Sequence, residues 1–202
     1  MIRNIIFDLG GVLIDWNPRY LYAEVFKEVD ELEFFLTEIC SPHWNNQQDA
    51  GRSLHEATET LVDRHPNYEP EIRMYYDQWT AMLSGPITLN VSLLQDLSAN
   101  GDYGLYALTN WSAETFPVAK ERYDFLQLFQ GILVSGIEKM KKPDPEIYQL
   151  LLRRYNLHSQ ECLFIDDNLR NVEVAREQGI HAIHFTSHPA LIESLNSLQI
   201  NL

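Results

Sequence analysis

Cysteine is scarce in this chain and basic residues are few. Its 202 residues include 2 cysteines, and 15 lysines and arginines stand against 29 aspartates and glutamates. Cys40 and Cys162 sit in no metal-ligand spacing, and Cys162 begins an apolar run, so the expectation is a reduced thiol pair in a cytoplasmic protein and no disulfide framework. The formal net charge of −14 repels phosphate backbones and anionic membranes, and the densest basic cluster, Lys139 to Lys142, is short. Neither nucleic acid nor a membrane is an expected partner. No apolar stretch approaches transmembrane length, and Met1-Ile2-Arg3-Asn4 lacks the basic start and apolar core of a signal peptide. The 7 histidines are scattered, and His181 and His184 would fall on opposite faces of a strand, which speaks against a histidine metal site.

What is present is an ordinary globular composition, 45% apolar, and two apolar runs that each end in acid. Ile5-Ile6-Phe7-Asp8-Leu9-Gly10-Gly11 lies near the start and Leu163-Phe164-Ile165-Asp166-Asp167-Asn168 near the end. Each reads as a strand buried on both faces, stopped by a carboxylate and turn residues. In an open parallel sheet ligands bind outside the carboxyl ends of the strands. Acids meeting there suit a hard cation such as magnesium, with room for a phosphate beside it.

Between these runs the pattern changes twice. Asn17-Pro18 opens a helical, aromatic-rich block that extends to about Ser84, with a capping box at Ser53-Leu54-His55-Glu56 and a break at Ser84-Gly85-Pro86. From Leu89 onward helices and strands alternate. Helices are expected over about 89–99, 113–123, 145–154 and 171–178, and strands over 105–109, 132–135, 162–165 and 182–185. Such alternation implies right-handed crossovers and a parallel sheet covered by helices on both faces, an α/β fold. Asp144, before Pro145, is expected to be a helix N-cap.

Four strand ends would then offer polar groups to one crevice: Asp8, Thr109 with Asn110, Ser135-Gly136, and Asp166 with Asp167, joined by Lys142 from a loop. In order, Asp8-Leu9-Gly10-Gly11-Val12, Leu108-Thr109-Asn110, Lys142-Pro143-Asp144-Pro145 and Ile165-Asp166-Asp167-Asn168 resemble the four motifs of the haloacid dehalogenase superfamily of phosphatases and related hydrolases. The resemblance implies a Rossmann-like doubly wound core, 1–16 and 86–202, with an inserted all-helical cap, 17–85. It implies that Asp8 is a nucleophile forming an aspartyl phosphate, and that Asp8, the Gly10 carbonyl, Asp167 and Asp166 hold Mg2+. Thr109, the Asn110 backbone and Lys142 would hold the phosphoryl group, with Trp111 near the pocket mouth.

Phosphatases of this superfamily usually carry a second aspartate two residues after the nucleophile as general acid and base, and here that position is Gly10. Such a group contributes about 10² to 10⁴ in rate. A substrate whose leaving group needs little protonation, such as an anomeric sugar phosphate or acyl phosphate, would tolerate the loss. The sequence is similar to the sugar-1-phosphatase-like branch, which also shows glycine here. Alternatives are a replacement acid, with Asp15 the nearest candidate though a turn role suits it better, a phosphate-binding protein with vestigial catalysis, and a metal-free 2-haloacid dehalogenase. The last has no need of an acidic pair, and both Asp166 and Asp167 are present. Trp16, Trp44, Asn45, Gln48, Asp49 and Arg52 are candidates to contact a small phosphorylated metabolite, whereas Tyr75, Tyr76 and Trp79 are expected to pack. Oligomeric state is open.

Overall fold

The computed structural model describes residues 1–201. Five parallel strands form the central sheet: β1 (Asn4–Phe7), β4 (Gly104–Thr109), β5 (Gly131–Val134), β6 (Cys162–Asp166) and β7 (His181–His184), in the order β5-β4-β1-β6-β7. The chain builds outward from β1 through β4 to β5, then crosses back to β6 on the other side. The reversal leaves a crevice at the carboxyl end of β1, where Asp8, Thr109 and Asp166 are brought together.

Alternation along the strands explains the two-sided core. Ile5, Phe7, Leu105, Ala107, Leu163 and Ile165 enter one apolar cluster, while Ile6, Tyr106, Leu108, Cys162 and Phe164 enter the other. α6 (Thr88–Asn100), α7 (Phe116–Arg122) and α11 (His188–Ser197) supply the first face. The one-turn α8 (Ser135–Glu138) follows β5, and α9 (Pro145–Arg154) and α10 (Leu169–Glu177) cover the second. Ile5, Ile6 and Phe7 are wholly buried, and each contributes roughly 1.5–3 kcal/mol, enough to anchor a four-residue strand in mid-sheet. The N-terminus of α10 is capped by Asn168, whose Oδ1 accepts from the Arg170 amide at 3.0 Å.

The inserted block contains α1 (Arg19–Val25), α2 (Val29–Phe34), a π-helical turn at Phe35–Ile39, α3 (Pro42–Gln48), α4 (Leu54–Arg64) and α5 (Glu69–Asp77). Its core is aromatic: the Tyr22 and Phe35 ring centroids lie 4.8 Å apart, and Trp44 meets Tyr75 edge-on at 5.1 Å. The block is not helical throughout. β2 (Ile14–Trp16) pairs antiparallel with β3 (Leu83–Pro86), so Ser84-Gly85-Pro86, expected as a break, is a strand beside the two chain crossings. Pairing across the whole insertion leaves no local turn signature to read.

Smaller differences have local causes. The helix expected over 113–123 begins at Phe116, because Trp111 to Thr115 forms a loop in which the indole Nε1 donates to Thr115 Oγ1 at 3.1 Å. Asp144 occupies the N-cap position of α9, but its side chain makes no capping bond. Ser53 Oγ accepts from the Glu56 amide at 3.2 Å, as a capping box requires, while Leu54 N donates to Glu114 at 2.8 Å, outside the insertion.

Candidate active site

Strand β1 ends by delivering Asp8 into the crevice, and two donors converge on one of its oxygens. Leu9 N donates to Asp8 Oδ1 at 2.7 Å, and Lys142 Nζ lies 2.9 Å from the same atom. Both bonds fall on Oδ1. Lys142 is buried and spends its other donors on Asp166 Oδ2 at 2.7 Å and the Leu108 carbonyl at 2.9 Å. Burial alone would pull its ammonium down, but the Asp166 and Asp8 carboxylates outweigh that and hold it above its ordinary value. For Asp8, burial is the largest influence and Lys142 opposes it, with Asp166 repelling; the result is pushed up to about 7.

Asp166 is wholly buried and fully engaged. Besides Lys142 it accepts from the Asn168 amide at 2.8 Å and from Asn171 Nδ2 at 3.1 Å to each oxygen. Asn171, on the first turns of α10, is a site residue that sequence reading missed, because asparagine three places after Asn168 is unremarkable until the helix aims it back. Asp167 is the exposed member of the group, but its carboxyl is partly desolvated at the crevice, which together with Asp166 raises its pKa against Lys142 and His184. Oxygens of Asp8, Asp166 and Asp167 lie within 4.8 Å of one another. Three carboxylates face one ammonium, all donors are oxygens, and a Cβ at Gly11 would collide with the Asp167 carboxylate. This donor set and this closeness of backbone fit a hard divalent cation such as Mg2+.

Thr109, at the end of β4, is buried with its Oγ1 unpartnered. The Asn110 side chain exchanges two bonds with the backbone of Lys142, donating to its carbonyl at 2.9 Å and accepting from its amide at 2.8 Å. That pair sets the lysine loop against the strand end. Ser135 and Gly136 do not face the crevice. Ser135 Oγ accepts from Trp111 N at 2.9 Å, and a Cβ at Gly136 would strike the Trp111 carbonyl and the Ala113 amide, so together they brace the Trp111 loop.

Two adjoining cavities open between sheet edge and insertion. The larger, about 470 Å³, is lined by Asp8, Gly10, Lys142, Asp167 and Asn171 among others. The smaller, about 90 Å³, is walled by Trp16, Tyr76, Trp79 and Trp111, with Ser112 and Thr115. Gly10, Trp16, Asn45, Asp49 and Asn110 line both. Of the expected contact residues, Trp16, Asn45 and Asp49 are therefore placed at the site. Trp44, Gln48 and Arg52 are not: Trp44 donates to the Ala57 carbonyl, Gln48 bonds Tyr76 OH at 2.8 Å, and Arg52 bonds Gln48 Oε1 at 2.9 Å. They build the insertion's own interior. Tyr75, Tyr76 and Trp79 do pack, as expected, and each also lines one of the two cavities. Asp15 faces neither cavity and accepts from Tyr20 OH at 2.8 Å.

A family model for haloacid dehalogenase-like hydrolases matches residues 2–179. The chain belongs to that family. It is a hydrolase, and its curated relatives include phosphatases. A sesquiterpene phosphatase from Aspergillus oryzae is 31% identical over 97% of this chain and 96% of its own length. A phosphorylated carbohydrates phosphatase from Thermotoga maritima is 25% identical over 93% of this chain and 86% of its own length. Among solved structures, a haloacid dehalogenase family enzyme from Bacteroides thetaiotaomicron, in complex with magnesium and inorganic phosphate, superposes with a TM-score of 0.68 at 25% identity, covering 92% of this chain and 95% of that one. An L-2-haloacid dehalogenase from Xanthobacter autotrophicus shares the fold at 17% identity, with a TM-score of 0.63 over 100% of this chain and 85% of that one. No described helix is long and apolar enough to cross a membrane.

Proposed function

We propose that this chain is a magnesium-dependent phosphatase that hydrolyses a small phosphorylated metabolite, in particular a sugar phosphate, through an aspartyl phosphate on Asp8. The observation that carries the reading is the Asp8 carboxylate itself. Lys142 and the Leu9 amide both hold Oδ1, which orients Oδ2 as the attacking atom. Thr109 Oγ1, buried without a partner, and the Asn110 backbone would receive phosphoryl oxygens, while Lys142 offsets charge on the nucleophile and the transferring group. Asp8, the Gly10 carbonyl and Asp167 would hold the ion. Asp166, saturated by Lys142, Asn168 and Asn171, would act mainly by fixing the lysine. Magnesium, when bound, would supply positive charge beside the reacting oxygens.

The insertion acts in this reading as a cap spanning 17–85, closing over the crevice and selecting the leaving group. Its aromatic walls and the Asn45 amide suit the apolar faces and hydroxyls of a sugar. Tyr76 OH donates to Asn45 Oδ1 at 3.0 Å, so the amide's NH2 is the part left for substrate. The two buried thiols fit a reducing, cytoplasmic location. A carbon-centred dehalogenation has no phosphate charge to neutralise, and the three-carboxylate cluster argues against it.

Phosphate release is the test, with purified protein, a panel of sugar phosphates, acetyl phosphate and p-nitrophenyl phosphate, and either magnesium or EDTA. Magnesium-dependent turnover with preference for sugar phosphates is expected. Activity on 2-haloacids that persists in EDTA would replace this reading with the dehalogenase. Silence on every substrate with tight binding of a phosphate mimic would make the chain a phosphate-binding protein.

A further inference from the structure

We propose that Asp49, carried by the helical insertion, is the proton donor that replaces the side chain missing at Gly10. The inference rests on the phosphatase reading and adds a catalytic residue to it.

Asp49 lines both cavities, as does Gly10, so it stands where the phosphoryl compartment meets the aromatic one. A leaving group reaching from the phosphoryl compartment toward the aromatic one would lie across that junction. Among the residues lining the smaller cavity only Asp49 and Tyr76 are titratable. The Tyr76 hydroxyl is bound by Gln48 and Asn45, and burial pushes its pKa well above the ordinary value, which leaves Asp49. Asp15, the nearer acid in sequence, lines neither cavity.

Three contacts with the sheet side hold the segment that carries Asp49. Lys141 Nζ donates to the Asn46 carbonyl at 3.3 Å, and Glu114 accepts from the Leu54 amide at 2.8 Å. Between them Gly51, at φ +96°, lets the chain turn so closely that a Cβ would lie 2.8 Å from Lys139 Cγ and 3.2 Å from the Gly136 carbonyl. The turn closes α3 through Gly51 N to Gln48 O at 2.9 Å and Arg52 N to Gln47 O at 3.1 Å. These contacts hold the segment bearing Asp49 against the sheet edge, and Asp49 itself stands at the carboxyl end of a helix, where a negative charge is disfavoured.

Its environment favours the protonated carboxyl. Burial raises its pKa against Lys141, Lys142 and the Ser112 amide, to about 7. Tyr75 and Tyr76 of α5 also face it and add no charge near neutrality. An acid of that strength is suited to neutral conditions.

The proton balance is simple. Asp8 attacks phosphorus, the P–O bond to the leaving group breaks, and its electron pair goes to the leaving oxygen. The Asp49 proton follows, giving an alcohol and an Asp49 carboxylate. Water then attacks phosphorus, the P–O bond to Asp8 breaks with its electron pair returning to the Asp8 carboxylate, and the water proton passes to Asp49, so that phosphate is released, Asp8 is again a carboxylate and Asp49 again an acid.

The test compares kcat/KM, which reports steps up to leaving-group departure, for Asp49→Asn on an alkyl phosphate such as glycerol phosphate and on acetyl phosphate. The expected loss is about 10² to 10⁴-fold on the alkyl ester and below about tenfold on acetyl phosphate, whose leaving group needs little protonation. The wild-type alkyl-ester profile should fall as pH rises past about 7, and the variant should lose that limb. Gly10 has an ordinary φ and open space beyond its Cα, so Gly10→Asp in the Asp49→Asn background should restore part of the alkyl-ester rate. Equal losses on both substrates, with wild-type turnover intact, would overturn the role of Asp49 alone. Absence of wild-type turnover on every phosphate would instead overturn the phosphatase reading beneath it.

Discussion

A buried hydroxyl without a partner costs stability, about 1–3 kcal/mol, and Thr109 carries one at the end of a central strand. No described residue bonds that Oγ1, and in the proposed reading it receives a phosphoryl oxygen. Thr109→Val is expected to leave the thermal midpoint unchanged or raise it, while kcat/KM for phosphate esters falls about 10-fold or more. Calorimetry beside steady-state kinetics checks both halves, and a fall in midpoint would mean that the hydroxyl serves the fold. At this scale the sequence was informative wherever a residue's role is set by its place at a strand end. Asp8, Thr109 and Asp166 follow apolar runs, and their meeting is dictated by a parallel sheet. Asn171 was harder, and Asp49 was legible as a contact residue but not as an acid. Asn171 acts because α10 returns it to Asp166, and Asp49 because a whole insertion folds back over β1. Neither relation leaves a local trace. Trp44, Gln48 and Arg52 misled for the opposite reason, since aromatic and amide side chains that suit a sugar also suit one another.

Elements, more than single residues, decide how the insertion meets the sheet. The α3–α4 connection, Asp49 to Ser53, is held by Gly51 in a conformation that side chains rarely adopt and at a distance that leaves no room for one. Gly51→Ala is expected to cost roughly 1–3 kcal/mol of stability by strain at positive φ. More tellingly, it should reduce kcat/KM on poor leaving groups by lifting Asp49 from the site. Chemical denaturation and the two-substrate comparison read these separately. Loss of stability with the substrate ratio unchanged would contradict the docking role of this turn. The β2–β3 pair shows why such elements escape sequence reading. Three- and four-residue strands joined across the whole insertion have neither the length nor the turn chemistry that marks a hairpin. Strands β1, β4 and β6 were legible because burial on both faces forces near-continuous apolar runs.

For the molecule as a whole, the acidic balance matters most where acids are crowded. With 29 acidic residues against 15 basic ones, little long-range positive charge relieves Asp8, Asp166 and Asp167, and among the described residues Lys142 is the ammonium bonded to Asp8 and Asp166. A bound divalent cation should therefore stabilise the native state alone. At about 100-fold excess over its Kd it would contribute about 2.7 kcal/mol, a rise of roughly 5–10 °C in thermal midpoint for a chain of this size. EDTA should reverse it, and Asp167→Asn should blunt it. A midpoint indifferent to magnesium and EDTA at low salt would contradict the shared cation site. The α/β class and the two-faced sheet followed from alternation along the chain, whereas the placing of the insertion beside the sheet edge depends on contacts between distant segments, such as Glu114 with Leu54.

Covalent chemistry at Asp8 is tested by catching the intermediate. Protein mixed with acetyl phosphate and magnesium, acid-quenched during turnover and digested, can be mapped by mass for a phosphoryl group. The expected result is a label on the peptide bearing Asp8, absent from Asp8→Asn and from samples in EDTA. Rapid phosphate release with no label, or a label that persists when Asp8 is replaced, would contradict it.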